Sequence, residues 1–340
     1  VRAISFMIVF LSHAGLKGKV PGYFGLSVFF FLSGYLITTL LRKEFDQTGA
    51  ISLRHFYLRR AYRILPPFYI TLAIAYSLTA AGFWGGSIGP YGIAAQVLHV
   101  TNYYIVANGW WDQIAPGTWV YWSLAVEEHF YLGFPLLYLV LRRLGLGESA
   151  QARVLLAIAL AVLAWRCVLV FGFDAPKDRV YVATDTRIDS ILAGCLLAVW
   201  SNPMLDRSGP SDRRLNYLWL PLGGLAVLVS LMIRHPIFEQ TLRYTLQSFG
   251  LLPFFVAAVR YHEHPPFSWL NTRLLRYLGV LSYAMYLAHT SVIWGFDQRT
   301  QWPEPLKALA ALLVVTAFAA AMHHCVERPF AQLRRRAEAT

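Results

Sequence analysis

Ten predominantly apolar runs, each of a length suited to a hydrocarbon layer about 30 Å thick, divide this sequence from end to end. At about 1.5 Å per helical residue they cover 3–17, 22–41, 66–83, 119–141, 151–173, 185–200, 217–233, 245–260, 277–297 and 305–324. An eleventh stretch, 91–107, carries Gln96, His99, Thr101 and Asn102 and is the least apolar of the set. A backbone surrounded by lipid must satisfy its own hydrogen bonds, so such runs are expected to be helices. The expected fold is all-α: a polytopic integral membrane protein with about ten transmembrane helices. Composition agrees, with 57% hydrophobic and only 14% charged residues, against roughly 25% charged in a soluble domain.

Basic residues set the orientation. If 91–107 does not fully cross, both termini face the cytoplasm and most lysines and arginines fall on that side. If it did cross, every later loop would invert and Arg334, Arg335 and Arg336 would face outward. The expected topology therefore has ten spans, with 84–118 as an outer or re-entrant loop. Trp84, Trp110, Trp111 and Trp119 fit an interfacial aromatic belt around that loop. One integral domain is expected over 1–330, followed by a basic cytoplasmic tail at 331–340. No secretory signal is visible, and the first run lacks a small-residue cleavage site, so it reads as a first span.

A net charge of +12 would suggest nucleic acid in a soluble protein. Here basic loops that hold cytoplasmic ends account for it, so membrane lipids are the expected partners and no nucleic acid is. Cys167, Cys195 and Cys325 are too scattered for a disulfide framework or a metal spacing. His262 with His264, and His323 with His324, read as loop or near-terminal histidines, and no metal is expected.

The stretch ISLRHFYLRRAYRI, residues 51–64, gathers arginines between two apolar runs. It is expected to form an interfacial helix on the cytoplasmic face. His55, Arg59 and Arg63 repeat every four residues and share a face, and Arg60 lies three before Arg63. Spacing alone supports two readings equally. One is a topology anchor that snorkels to lipid phosphates. The other is a cradle for an anionic cofactor, which guanidinium groups bind through forked, charge-assisted hydrogen bonds.

Ionisable groups inside a bilayer are costly and usually functional. Arg2 and His13 stand three helical turns apart on one face, with His13 about 16 Å deeper. Glu127 and Glu128 interrupt the fourth run, Arg166 lies in the fifth, Arg187 and Asp189 in the sixth, and His289 in the ninth. From the expected topology, His289 lies about 18 Å from its inner end and Glu127 about 12 Å from its outer end. Polar groups thus occupy the middle and outer layers, above Arg2, Arg60 and Arg63 at the inner layer. That column suggests a route through the membrane, which a transporter's ion path would also supply.

Seven segments in order now carry a resemblance. RAISFMIVFLSH (2–13), GYFGLSVFFFLSGYLI (22–37), FYLRRAYRILP (56–66), WSLAVEEHFY (122–131), TDTRIDSILAGCLLA (184–198), LGVLSYAMYLAH (278–289) and ERPF (327–330) resemble the motifs of membrane acyltransferase family 3. That family includes O-antigen, exopolysaccharide, peptidoglycan, Nod-factor and macrolide acylases. Ser27 stands where a member usually has an acidic residue, and His129 where Gln is common. No extracytoplasmic hydrolase-like domain follows the tenth span, so the chain is similar to stand-alone members.

The resemblance implies an acyl-CoA donor, often acetyl-CoA, approaching from the cytoplasm in a bacterial inner membrane. It implies that Arg60 and Arg63 bind the coenzyme's phosphates, with Arg2 guiding the donor or balancing charge. His13 would act on the acyl group, either as general base toward an acceptor hydroxyl or as a transient acyl carrier. Glu127 would orient a histidine or bind hydroxyls of a carbohydrate or polyol acceptor. Arg166 and His289 are expected near substrate, His289 more as a structural group. Arg187 with Asp189 is expected to be a buried ion pair between helices. The leading reading is an O-acyltransferase. Its rivals are a transporter or flippase, and an acyl relay to a separate extracytoplasmic transferase.

Overall fold

The apolar runs fold as helices, and every regular element among the described residues is helical. In the computed structural model these residues are 1–16, 18–206 and 209–339. Lys17 and Arg207, which contribute to the expected charge asymmetry, and Thr340 of the expected tail lie outside them. In chain order the helices are α1 Arg2–His13, α2 Gly22–Thr48, α3 Leu53–Ala80, α4 Pro90–Val97, α5 Thr101–Asn108, α6 Trp122–Arg143, α7 Glu148–Gly172, α8 Lys177–Val182 and α9 Thr184–Trp200. They continue as α10 Asp212–Arg214, α11 Leu220–Met232, α12 Pro236–Gln240, α13 Arg243–Gly250, α14 Leu252–Arg260, α15 Arg273–Arg299, α16 Glu304–Met322 and α17 Arg328–Ala339. A 3-10 turn, Thr118–Tyr121, leads into α6, and π-helical turns at Leu215–Trp219 and His323–Glu327 join α10 to α11 and α16 to α17.

Five helical stretches among the described residues are long and apolar enough to cross a membrane: Gly22–Thr48, Thr118–Arg143, Glu148–Gly172, Asp212–Met232 and Glu304–Arg336. The other expected spans are helical but differ for local reasons. α1 has 12 residues, about 18 Å of helix, and α9 has 17. The run 245–260 divides into α13 and α14, with Pro253 in the first turn of the second. The runs 66–83 and 277–297 belong to longer helices, α3 and α15, whose early turns carry arginines. The stretch 91–107 is not one helix. It breaks between α4 and α5, where His99 takes a φ of 54°.

The interfacial helix expected over 51–64 is not a separate element. Arg59, Arg60 and Arg63 lie on the early turns of α3, a 28-residue helix that passes through Pro66 and Pro67. Proline removes a backbone donor and biases its predecessor away from helix, which is why an end was expected there. The helix nevertheless continues through both, and α15 holds it beside them. The Tyr283 hydroxyl of α15 donates to the Ile64 carbonyl at 3.0 Å. The expected C-terminal tail is likewise helical as α17, which packs on α3.

Contacts divide the chain into two compact units. The first holds Val1–Gly25, Ser52–Ala125 and Arg273–Thr340. The second holds Leu26–Ile51 and Val126–Thr272. In the second, α9 is buried along nearly its whole length and packs on α7 and α13. Small residues let it meet α2: a Cβ added at Gly34 would lie 1.9 Å from the Ile191 carbonyl oxygen, and one at Gly194 2.0 Å from that of Phe31. Such close backbone approach is how helices associate where no hydrophobic force separates protein from lipid.

The ion pair in this unit differs from the one expected. Asp189 is bound by Arg166 of α7, Nη2 to Oδ2 at 2.9 Å, with both side chains fully buried. Arg166 also donates to the Thr186 carbonyl at 2.7 Å, and Thr245 of α13 donates to Asp189. Arg187 instead stacks its guanidinium over Tyr244, 3.6 Å from the ring centroid. Positions two apart on a helix do not face each other, so Arg187 and Asp189 reach different neighbours. Arg166, expected near substrate, is fully buried and bonds to Thr186 and Asp189 of its own unit. Ser27 donates to Gln247 of α13 at 3.0 Å, and His129 meets the Thr184 hydroxyl at 2.7 Å.

A Gly194→Ala change is expected to lower stability by about 1–3 kcal/mol through overpacking, read as thermal unfolding in detergent. Gly133→Ala, where an added Cβ meets nothing within 4 Å, is the control. An unchanged midpoint for Gly194→Ala would reject the tight α2–α9 contact.

Candidate active site

α1 begins at Arg2 and ends at His13. Phe6, Val9 and Phe10 are buried and give the helix an apolar face that lies along α15 in the first unit. Two glycines bring the first turn of α2 onto α1. A Cβ at Gly22 would sit 2.7 Å from the Ser12 Cβ, and one at Gly25 2.7 Å from the Ser5 carbonyl oxygen. α1 and α15 run parallel and in step. At one level Gly279 stands beside Arg2, where an added Cβ would lie 4.0 Å from the Arg2 Cβ. Three turns on, His13 meets His289.

The two imidazoles share a hydrogen bond, His13 Nδ1 to His289 Nε2 at 2.9 Å. Their rings are stacked with centroids 5.1 Å apart. The proton positions follow from the next contact. His289 Nδ1 lies 2.7 Å from the Tyr286 carbonyl oxygen, and a carbonyl only accepts. Nδ1 of His289 is therefore the N–H, and its Nε2 carries a lone pair. That lone pair accepts the Nδ1–H of His13, so in the neutral pair the basic nitrogen of His13 is Nε2. The order Tyr286 carbonyl, His289, His13 fixes one tautomer at each ring, as second partners do for working histidines.

His289 is fully buried. Phe6 meets it edge-on with centroids 5.7 Å apart, and Phe10 lies 6.5 Å away. Its helix is fastened to the segment before α6 by a row of hydroxyls. Tyr121 donates to the Leu287 carbonyl at 2.8 Å, and Tyr286 donates to that of Val120 at 3.1 Å. Ser291 donates to the Pro116 carbonyl at 2.9 Å, and Thr290 donates to that of Gly117. The Ser123 and Tyr286 hydroxyls lie 2.6 Å apart. Gly117 has a φ of 78°, and a Cβ there would strike the Ser291 nitrogen at 2.3 Å, so the seam closes only over glycine. Behind it, buried Gln96 donates to the Thr118 carbonyl and hydroxyl and accepts from Tyr76 at 2.9 Å.

The expected site residues are placed as follows. His13 and His289 are in direct contact. Arg2 is on the helix of His13, one end from the other. Arg60 and Arg63 are on α3, close in sequence to Ile64, whose carbonyl Tyr283 of α15 holds. The Arg60 guanidinium lies 5.8 Å from the Phe56 ring centroid, and Arg63 is exposed. His55, expected on the same face, turns to the N-cap hydroxyl of Ser52 at 2.9 Å. Glu127 belongs to the second unit, where it accepts from Ser33 at 2.9 Å and from Tyr131 at 3.1 Å. Two residues were not foreseen. Trp119 packs edge-on against His13, centroids 5.1 Å apart. Tyr286 supplies the carbonyl that sets the tautomers, and its position three before His289 was the available signal.

Comparison with known proteins adds the following. OatA, an O-acetyltransferase of Staphylococcus aureus strain NCTC 8325, is 30% identical over 304 residues, 86% of this chain and 49% of that protein. An inferred O-acetyltransferase of S. aureus strain COL is 28% identical over 309 residues, 86% of this chain and 50% of its own length. The chain thus spans about half the length of the curated relatives it matches. No solved structure matches it. The profile of acyltransferase family 3, described as an acyltransferase domain, matches residues 1–324, nearly the whole length over which the seven motifs are spread, and the chain belongs to that family.

Proposed function

We propose that this chain holds the membrane-embedded transfer site of an O-acyltransferase. It moves an acyl group, acetyl first, from cytoplasmic acyl-CoA to a hydroxyl of a carbohydrate or similar polyol. Family membership and the names of the relatives support the reaction class. The observation that carries the mechanism is the bond between His13 and His289, with His289 oriented by the Tyr286 carbonyl.

An alcohol is a weak nucleophile until a base removes its proton. His13 Nε2 takes that proton as the hydroxyl oxygen attacks the thioester carbonyl. The resulting imidazolium gains positive charge, which His289 Nε2 stabilises by accepting the Nδ1–H more strongly. Collapse of the tetrahedral intermediate breaks the carbon–sulfur bond, and the proton passes from His13 to the departing thiolate. His13 acts as a base in this scheme. Direct attack by its Nε2 on the acyl group is the covalent variant, which trapping an acyl-enzyme would reveal. Arg60 and Arg63 bind the coenzyme's phosphates, and Arg2 balances charge along the donor's path. The proposal places the arginines and both termini at the cytoplasmic face of a bacterial inner membrane.

Two measurements test this. Changing His289 to Gln keeps an acceptor for the His13 Nδ1–H, whereas Leu removes it. Turnover with acetyl-CoA is expected to fall about 100-fold or more in His289→Leu, with donor affinity kept, and to be partly restored in His289→Gln. Equal turnover in the two variants would remove His289 from the mechanism. Separately, the double change of Arg60 and Arg63 to Ala is expected to weaken acetyl-CoA binding at least tenfold while thermal unfolding stays the same. Unchanged coenzyme affinity would end the cradle assignment. In the turnover assay, coenzyme release without acylated product would identify a relay.

A further inference from the structure

Four tryptophans expected to mark a lipid interface do not all behave as a belt. Trp119 turns toward the chemistry, its ring edge-on to His13 at 5.1 Å. Trp110 and Trp111 stand nearly perpendicular to Trp119, with centroids 5.7 and 5.8 Å from it. Trp294 of α15 lies 5.6 Å from Trp111 at a tilt of 31° and so backs it. Trp111 nevertheless remains 57% exposed. The result is a continuous aromatic surface that starts at the proposed base and ends at an open indole.

The loop that presents these rings is built rather than slack. Gln113 has a φ of 49°, a region few non-glycine residues occupy and one that tends to be held at functional sites. Its carbonyl accepts from the Gly89 amide at 3.1 Å. Beside Trp111, Asp112 accepts from the Tyr104 hydroxyl at 2.8 Å, which puts a carboxylate and a phenol at the rim. A belt anchor needs neither this polar rim nor contact with a histidine that is bonded to a buried partner.

The geometry points to Trp111, backed by Trp294 and joined to His13 through Trp119, as a stacking platform for a pyranose ring of the acceptor. One face of a pyranose is a patch of C–H bonds with slight positive charge, which complements the negative face of an indole. Its equatorial hydroxyls project sideways, toward groups such as Asp112. The platform lies two ring contacts from His13, so a stacked sugar holds a neighbouring hydroxyl toward the base. This inference rests on the acceptor class proposed above and narrows it to saccharides with an apolar ring face, rather than open-chain polyols.

The test uses the whole chain in lipid nanodiscs, with cellotetraose and chitotetraose as ring probes and glycerol as the open-chain control. Indole oxidation by N-bromosuccinimide is read residue by residue by mass spectrometry. Either saccharide is expected to slow oxidation of Trp111 at least fivefold. Trp269, 77% exposed, is expected to oxidise at an unchanged rate, and glycerol to protect neither. Binding of the same saccharide is expected to weaken about tenfold in Trp111→Ala and to recover in Trp111→Tyr. No protection by either saccharide, equal protection of Trp269, or unchanged affinity in Trp111→Ala would overturn the proposal. Transfer of acetyl from acetyl-CoA to glycerol, measured in parallel, separates the two readings. Transfer without Trp111 protection removes the platform alone, while protection without transfer to any acceptor keeps the platform and removes the transferase reading.

Discussion

Buried polar groups that find no partner cost about 1–3 kcal/mol each, and a hydrocarbon surround supplies no water to help. That constraint organises the first unit. α15 carries Tyr286, His289, Thr290 and Ser291 within two turns, a density of polar groups that an apolar helix could not bury alone. The segment before α6 answers it carbonyl by carbonyl at Pro116, Gly117 and Val120, while Tyr121 answers the Leu287 carbonyl. The seam leaves His289 little rotational freedom, and the tautomer order at His13 is therefore built into the fold. The bonds that pack α15 are also the ones that orient the histidine pair.

The second unit meets the same constraint with charge. Arg166 and Asp189 are buried together, and Thr186 and Thr245 take up further hydrogen-bonding capacity. Removing one member of such a pair strands the other and costs about 3–5 kcal/mol. Arg187 uses a different device, the negative face of Tyr244. One helix thus sends two charged side chains to two kinds of partner, and both hold neighbouring helices against it.

Much of this was legible in the residues. Hydropathy marked the helices. The polarity of 91–107 marked a place where one helix would not form. Helical rise put His13 and His289 at about 16 and 18 Å from the inner face, and the two prove to be bonded. What the sequence withheld was lateral. The histidines are 276 positions apart, and no spacing rule says which helices are neighbours. The same gap led Asp189 to be paired with its near neighbour Arg187 rather than with Arg166 on another helix. Pro66 and Pro67 mislead for a further reason: their local preference to end a helix yields to the packing of α3 on α15 and α17, which only the tertiary structure supplies. The position of Trp119 at the end of the 84–118 loop reads as an interfacial anchor, and its contact with His13 appears only in the tertiary structure.

The in-step arrangement of α1 and α15 has a mechanical consequence. Advancing either helix by one residue would shift its imidazole about 1.5 Å and swing it about 100° around the axis, enough to break the contact. A one-residue register shift between the two helices is therefore incompatible with the histidine bond. As long as that bond holds, α1 and α15 keep one register from Arg2 and Gly279 at one level to the two imidazoles three turns on.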